Sequence, residues 1–412
     1  MTVTATDNRY SNFLIFLLIS FPILIISVKP FGNLILLVLL FLGSYIFIKQ
    51  KKNPFLIPEL KTLSWITLSY FLVMMASMII ADGLAAQFHH LGRKIHFLLA
   101  PLIALAIYDN NLSIVQFLRS IKFGLILIGI IVLVQFFIWG YDRPSGMFNE
   151  NVFSDLAVIL LFLSIVRFFE ETKREQIFTS IAAIFGVIAV VLSASRGSWL
   201  SFLVLIPVYF GIASSRFSKG NYKRSFGLII LTIVISIGFT QIDLVKEKTA
   251  FAKKIGTAID NAQSWSNDKS EFTSTSARLE MWKYGLLAAE DSPLFGHGYR
   301  NANEVVSNYA MQFKKEISMF THLHNEYLTN LVSAGLVGLV SMIILLFAPL
   351  IVFVKKLRSE EHYNYALMGV LLCVAYSTFG FTHIALGEEN MNAFYVFFLS
   401  LLLPKMRQKI SV

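Results

Sequence analysis

The chain has one cysteine, Cys373, in 412 residues, and only 15% of its residues are charged. A lone thiol cannot build a disulfide framework, and because Cys373 lies inside an apolar run it says nothing about compartment. The shortage of charge excludes an ordinary soluble domain, of which about a quarter is charged. No Lys/Arg cluster precedes the first apolar run and no small-residue cleavage site follows it, so that run reads as an uncleaved first helix rather than a signal peptide. Repeats and low-complexity tracts are absent.

Apolar residues fill that space. They make up 56% of the chain, and mean hydropathy is +0.67. The fold class this predicts is an all-α integral membrane protein. Runs long enough to span a bilayer as helices fall near 11–28, 31–48, 62–81, 95–108, 118–138, 152–168, 177–194, 198–213, 225–241, 327–353, 364–382 and 391–404. That is about twelve transmembrane helices. The organisation predicted is helices 1–9 over residues 1–241, a long loop over 242–326, and helices 10–12 over 327–412.

Basic residues orient the bundle. With both termini cytoplasmic, the inner connections hold groups such as Lys49, Lys51, Lys52, Lys61, Arg119, Lys122, Lys355 and Lys356. The short outer connections hold only Lys29, Arg93, Lys94, Arg143 and Arg196. The long loop then faces outward. The net charge of +10 is accounted for by this topology, and no nucleic-acid partner is needed.

The 242–326 segment is rich in Lys, Asp, Ser, Thr and Asn, and loops of this length tend to be functional. Ser276 is placed to cap a helix running to about Glu290, with Leu279, Trp282, Leu286 and Leu287 as its apolar stripe. A second amphipathic piece, Gln87 to His96, is expected outside between spans three and four.

Chemistry-bearing residues gather on the outer side. Arg196 sits in Ser193-Ala-Ser-Arg-Gly-Ser198 between two close spans. Two readings fit it: a snorkelling interface anchor, or a guanidinium fork matched to phosphate. Arg278 falls just past the expected cap, where a bound anion would offset an unfavourable helix dipole; a solvated surface arginine is the alternative. His324, in His322-Leu-His-Asn-Glu326, carries a proton that switches near neutrality, or else is a buried structural histidine. His322 and His324 have no third ligand at metal-binding spacing, so no metal is expected. Gly335 and Gly338 fall within roughly 40° of the His324 azimuth at about 100° per residue, and helix packing is their expected use. Arg93, Lys94, Arg143, Arg300, Lys314 and Lys315 add positive charge on that side, with Asp155 and Glu388-Glu389 as outer acids. Such a cationic pocket, opening to lipid, suits a lipid-linked anion, and a lipid pyrophosphate is the obvious candidate.

His324-Asn325, nine residues, then Gly335-x-x-Gly338 resembles the signature of the O-antigen ligase family. Ser-Ala-Ser-Arg196-Gly and Ser-Ala-Arg278-Leu-Glu-Met-Trp, the latter followed by Ser-Pro-Leu-Phe-Gly296, resemble its two other blocks, in the family's order. The superfamily also holds O-antigen polymerases and protein O-oligosaccharyltransferases; the His-Leu-His-Asn-Glu form leans towards the ligase. The resemblance implies an inverting glycosyltransferase of the Gram-negative inner membrane, active at the periplasmic face and needing no metal, ATP or other cofactor. Its donor would be O-antigen on undecaprenyl pyrophosphate and its acceptor the lipid A–core. Arg196 and Arg278 would hold the pyrophosphate and His324 would take or orient the acceptor proton. Asn325 would set the imidazole, with His322 and Arg300 as supporting groups. A polymerase would share the donor but use a second lipid-linked glycan as acceptor. A lipid-linked glycan transporter, the reading from another class, would place its ionisable groups near the bilayer midplane.

Overall fold

The computed structural model describes residues 5–82, 84–214, 274–312 and 322–408. Among them the chain is helical throughout, with no strand. Helices α1 (Ala5–Ser27), α2 (Phe31–Lys49), α3 (Pro58–Asp82) and α4 (Leu84–Ile107) are followed by α5 (Ile114–Leu133), α6 (Glu150–Ser164), α7 (Lys173–Ser193) and α8 (Arg196–Ala213). Two further helices, α9 (Ser274–Asp291) and α10 (Ala302–Gln312), lead to α11 (Glu326–Lys356), α12 (Tyr363–Phe379) and α13 (Glu389–Leu402).

Eight of the described helices are long and apolar enough to cross a membrane. Helices α12 and α13 coincide with the last two predicted spans but, at 17 and 14 residues, are shorter than those eight, and the predicted span near 225–241 lies outside the described residues. The predicted loop shares that position over 242–273, and Lys314 and Lys315 also fall outside.

Side-chain caps set several helix starts. Asn149 accepts from the Asn151 N–H ahead of α6, Thr172 from Glu175 ahead of α7, and Asn325 from Leu328 ahead of α11. The helices then bury one another: α4 packs on α2, α3 and α13, α7 on α5 and α6, and α11 on α3 and α12. Lipid-facing sides keep Phe41, Trp65, Leu203 and Ile351 exposed, as expected where the solvent is hydrocarbon. A smaller apolar cluster joins α9 and α10 through Met281, Tyr284, Ala288, Val306 and Ala310, against Leu323 and Leu328.

Three local expectations are corrected. The piece expected as a separate element over Gln87–His96 is part of α4, continuous with the stretch predicted as the fourth span, and α4 is not among the eight. Helix α9 is already formed at Ser274, so Ser276 is a buried residue inside it and Arg278 lies in its second turn. The dipole argument for an anion at Arg278 therefore does not apply. The buried face of α9 also runs through Ala277, Met281, Tyr284 and Ala288, while Leu286 of the expected stripe is exposed.

The tenth predicted span is interrupted. Within α11 the backbone at Gly335 has φ 64° and ψ −164°, a region open essentially to glycine alone. The break frees backbone groups in a buried place, where each needs a partner. A turn over residues 293–298 supplies them. His297 N–H donates to Val332 O at 2.9 Å and Gly298 N–H to Ser333 O at 2.8 Å, while Leu336 and Val337 N–H donate to Pro293 O and Leu294 O. The approach is backbone against backbone: a Cβ on Gly335 would stand 2.2 Å from Leu294 C and O. Ser77 of α3 secures the same turn by donating to Phe295 O at 2.8 Å.

His324 precedes α11, and its own φ is +50°. The shared azimuth expected for His324, Gly335 and Gly338 therefore does not exist. Gly335 instead seats the inserted turn, and Gly338 faces Met74 of α3. Gly335→Ala is expected to cost about 1–3 kcal/mol in backbone strain alone, and to unseat the turn. A lower melting temperature of the purified protein, with new protease cleavage at 293–298, would show it; an unchanged melt would disprove the insertion.

Candidate functional site

Helix ends that carry the sequence motifs meet at one end of the bundle. The connection between α7 and α8 is one residue long after a left-handed Ala194 (φ 52°), and it places Arg196 as the first residue of α8, exposed. Next to it, Gly197 lies against the loop after α12; a Cβ there would come within 2.3 Å of Thr382 Oγ1. Arg143, expected as part of the positive surface, donates from Nε to Ser193 O at 3.2 Å and so closes the end of α7.

Helix α9 brings Arg278 to the same place. Its guanidinium is partly buried and close enough to Arg196 that burial first, and then that like charge, lower its pKa. Trp282 Nε1 donates to Leu323 O at 2.9 Å, tying α9 to the turn that carries the two histidines. The rings of His322 and His324 lie 4.2 Å apart between centroids. His383, from the loop between α12 and α13, stands 6.2 Å from His322.

Electrostatics follow from this crowding. His322 is pushed down to about 4, by burial first and then by His383, Arg278 and Arg93. His324 is pushed down to about 3, again by burial, followed by His322, Arg278 and His383. Both rings are neutral near pH 7, as a general base requires, but each is a weaker base than the near-normal His324 the sequence suggested. A site with two guanidiniums and depressed histidines is poised for an anion, whose charge would restore their basicity.

Asn325 does not set the imidazole directly. Its Oδ1 caps α11 on the Leu328 N–H at 3.0 Å, and so fixes where the helix begins after the left-handed His324. Arg300 is exposed on the turn ahead of α10.

Several residues here had no assigned role in the sequence. Asp155 of α6, there noted only as an outer acid, is buried; its Oδ1 accepts from Ser198 Oγ at 2.6 Å and its Oδ2 is 3.4 Å from His383 Nδ1. Ser198 also donates to Ser195 Oγ at 3.1 Å, and Ser195 to Asn151 Oδ1 at 2.9 Å. Behind the histidine turn, Lys94 and Glu326 form a buried pair at 3.9 Å. The available signal was a charge inside an apolar run, which tells that a residue is paired but not with what. No group of three or more His, Cys, Asp or Glu among the described residues is disposed to hold a metal ion.

At the opposite end the cations are matched by carboxylates, as in Lys52–Asp109, Arg119–Glu175, Lys122–Glu171 and Arg167–Glu170. The first three of these contacts join neighbouring elements, whereas Arg167 and Glu170 are three residues apart.

Residues 181–343 match the family described as O-antigen ligase, a stretch that contains Arg196, Arg278, His322, His324, Gly335 and Gly338. A protein of Haemophilus influenzae (strain ATCC 51907 / DSM 11121 / KW20 / Rd), itself described as uncharacterized, is 27% identical over 400 residues. The alignment covers 94% of this chain and 97% of that protein.

Proposed function

We propose that this multi-pass membrane protein, which belongs to the O-antigen ligase family through residues 181–343, is an O-antigen ligase. It transfers a finished polysaccharide from undecaprenyl pyrophosphate to a sugar of the lipid A–core at the periplasmic face of the inner membrane. The observation that carries this reading is the meeting of Arg196, Arg278, His322 and His324 at one end of the helix bundle.

In the reaction the acceptor hydroxyl oxygen attacks C1 of the donor's first sugar from the face opposite the leaving group. The C1–O bond to phosphate breaks and its electron pair leaves with the pyrophosphate, inverting C1. Arg196 and Arg278 stabilise the charge that grows on the departing phosphate, which is where electrostatic preorganisation contributes most. The proton leaves the acceptor oxygen for His324. A pyrophosphate needs no protonation to depart, so one base suffices. The donor also corrects the local charge: its phosphates offset the mutual repulsion of the two guanidiniums and raise the basicity of His324 just as the acceptor must be deprotonated.

Deleting the gene and resolving lipopolysaccharide on a gel, with undecaprenyl-linked glycan probed in the same cells, tests this. Bare lipid A–core with full-length polymer held on undecaprenyl pyrophosphate is expected. Core bearing a single repeat unit would instead make the protein a polymerase, and unchanged lipopolysaccharide would refute both. Arg196→Lys adds a test of the clamp. A bidentate phosphate contact is expected to lose about tenfold or more in transfer, because an ammonium cannot reproduce the fork. Full activity in that variant would make Arg196 an interface anchor.

A further inference from the structure

The loop over residues 380–388 links the start of α8, α6 and the histidine turn ahead of α11. Thr382 packs on Gly197, directly after Arg196. Gly380 O accepts from the Glu326 N–H at 2.7 Å, which holds the loop against the start of α11 and hence the histidine turn. Leu386 N–H donates to Glu326 Oε2 at 2.9 Å. In the middle of this loop His383, buried, has Asp155 on one side at 3.4 Å and His322 on the other, 6.2 Å between centroids. Asp155 in turn is held by Ser198 of α8. A row of groups thus runs His324, His322, His383, Asp155, from the exposed side of the site to its buried floor.

That row answers a difficulty in the transfer reaction. Once His324 takes the acceptor proton, an imidazolium stands in a partly buried place beside the fixed charge of Arg278, and both disfavour it. The charged groups facing the three rings are Arg93 from α4, Arg278 from α9 and Asp155 from α6; Arg196 of α8 stands against Arg278, and Glu326 of α11 is engaged by Lys94. Asp155 is the carboxylate in direct reach of an imidazole, and His383 is the ring it reaches. A proton there meets a carboxylate oxygen at 3.4 Å.

We infer that His383 and Asp155 are a proton-holding and positioning pair for this transfer: the proton drawn by His324 passes through His322 to His383, where Asp155 offsets its charge. The inference rests on the glycosyl-transfer reading above. Atoms and charge balance without a further reactant. The acceptor O–H breaks, the new C1–O bond forms, and the pyrophosphate leaves with the electron pair. The proton is kept as a His383 imidazolium against the Asp155 carboxylate until water removes it. The 6.2 Å between the His322 and His383 rings is too long for direct transfer and fits a single bridging water. Asp155 also links α6 and α8 to the loop, so the same contact aligns the clamp element with the histidines.

The test uses the full-length protein in lipid nanodiscs, with undecaprenyl-pyrophosphate glycan and lipid A–core as substrates. His383→Gln is expected to lower kcat about tenfold or more, less than the 10²–10⁴-fold ascribed to a general base itself, with little change in the KM for donor. The proton inventory in H₂O/D₂O mixtures, curved in the wild type because more than one proton moves, should become linear. A merely structural His383 would lower activity or stability but leave the inventory as it was, and that result overturns the inference. Histidine ¹⁵N NMR of the same protein is read independently of activity. Asp155→Asn should change the ¹⁵N shifts of the His383 ring nitrogens, because the carboxylate oxygen at 3.4 Å is removed. If wild-type protein transfers no glycan, the functional reading fails, while unchanged His383 ¹⁵N shifts in Asp155→Asn would overturn the pair whatever the enzyme does.

Discussion

His324→Ala is expected to reduce glycan transfer by about 10²–10⁴-fold, the range for losing a positioned general base, while the protein stays folded in the membrane. The ring lies outside α11, and the helix cap is supplied by Asn325, so removing the imidazole leaves the architecture in place. The pH dependence sharpens the test. A base works when deprotonated, so a depressed pKa extends activity towards acid. With His324 near 3 and His322 near 4 in the unliganded site, kcat/KM, which reports the free enzyme, should show no acid limb from these rings above about pH 5. In the donor complex the pyrophosphate charge favours the imidazolium, so the acid limb of kcat should lie at higher pH than that of kcat/KM. Full transfer by His324→Ala would remove His324 from the role of base, and an acid limb of kcat/KM near 6.5 would mean that the base is not depressed in the free enzyme.

Much of this arrangement could be read from the sequence, for identifiable reasons. Apolar runs located the helices because a bilayer demands them, and Arg196, Arg278 and His324 stood out as polar groups that such a chain has no structural reason to keep on one side. What failed was whatever depended on a partner distant in sequence. The break at Gly335 is invisible in an unbroken apolar run, because the groups that satisfy it come from residues 293–298. The first half of α4 looked like a surface piece because Arg93 and Lys94 are charged; yet Lys94 is buried, its charge met by Glu326 more than two hundred residues away. His383 lay in an unremarkable connection. Only the packing of α6, α8 and α12 ends brings it between Asp155 and His322.

Replacing either Lys94 or Glu326 alone is expected to destabilise the protein by about 3–5 kcal/mol, the cost of stranding a buried charge. Both side chains are 3% exposed. Lys94 Nζ donates to Leu386 O at 2.6 Å and Tyr70 Oη at 3.1 Å. Glu326 accepts from Asn330 Nδ2 at 2.8 Å and from the Leu386 N–H. The two contacts to Leu386 stitch α4 and α11 to the loop that carries His383, while the others join α4 to α3 and brace Glu326 within α11. Coulomb attraction within such a pair is offset by the loss of hydration, so the pair itself need contribute little net stability. Lys94→Met combined with Glu326→Gln removes both charges while keeping an amide for Asn330 and Leu386, and it should recover most of the melting temperature lost by Lys94→Met alone. Transfer should not recover with it, because the 380–388 loop and the histidine turn would no longer be locked at one separation, and a displacement on the order of 1 Å costs about 10²-fold in a reaction that depends on orientation. A stable double variant with full transfer would make the pair a relic of packing. A Lys94→Met protein as stable as the wild type would mean that the two charges are not buried together at all. A stable, inactive double variant would identify the pair as the element that holds the reacting histidines in register.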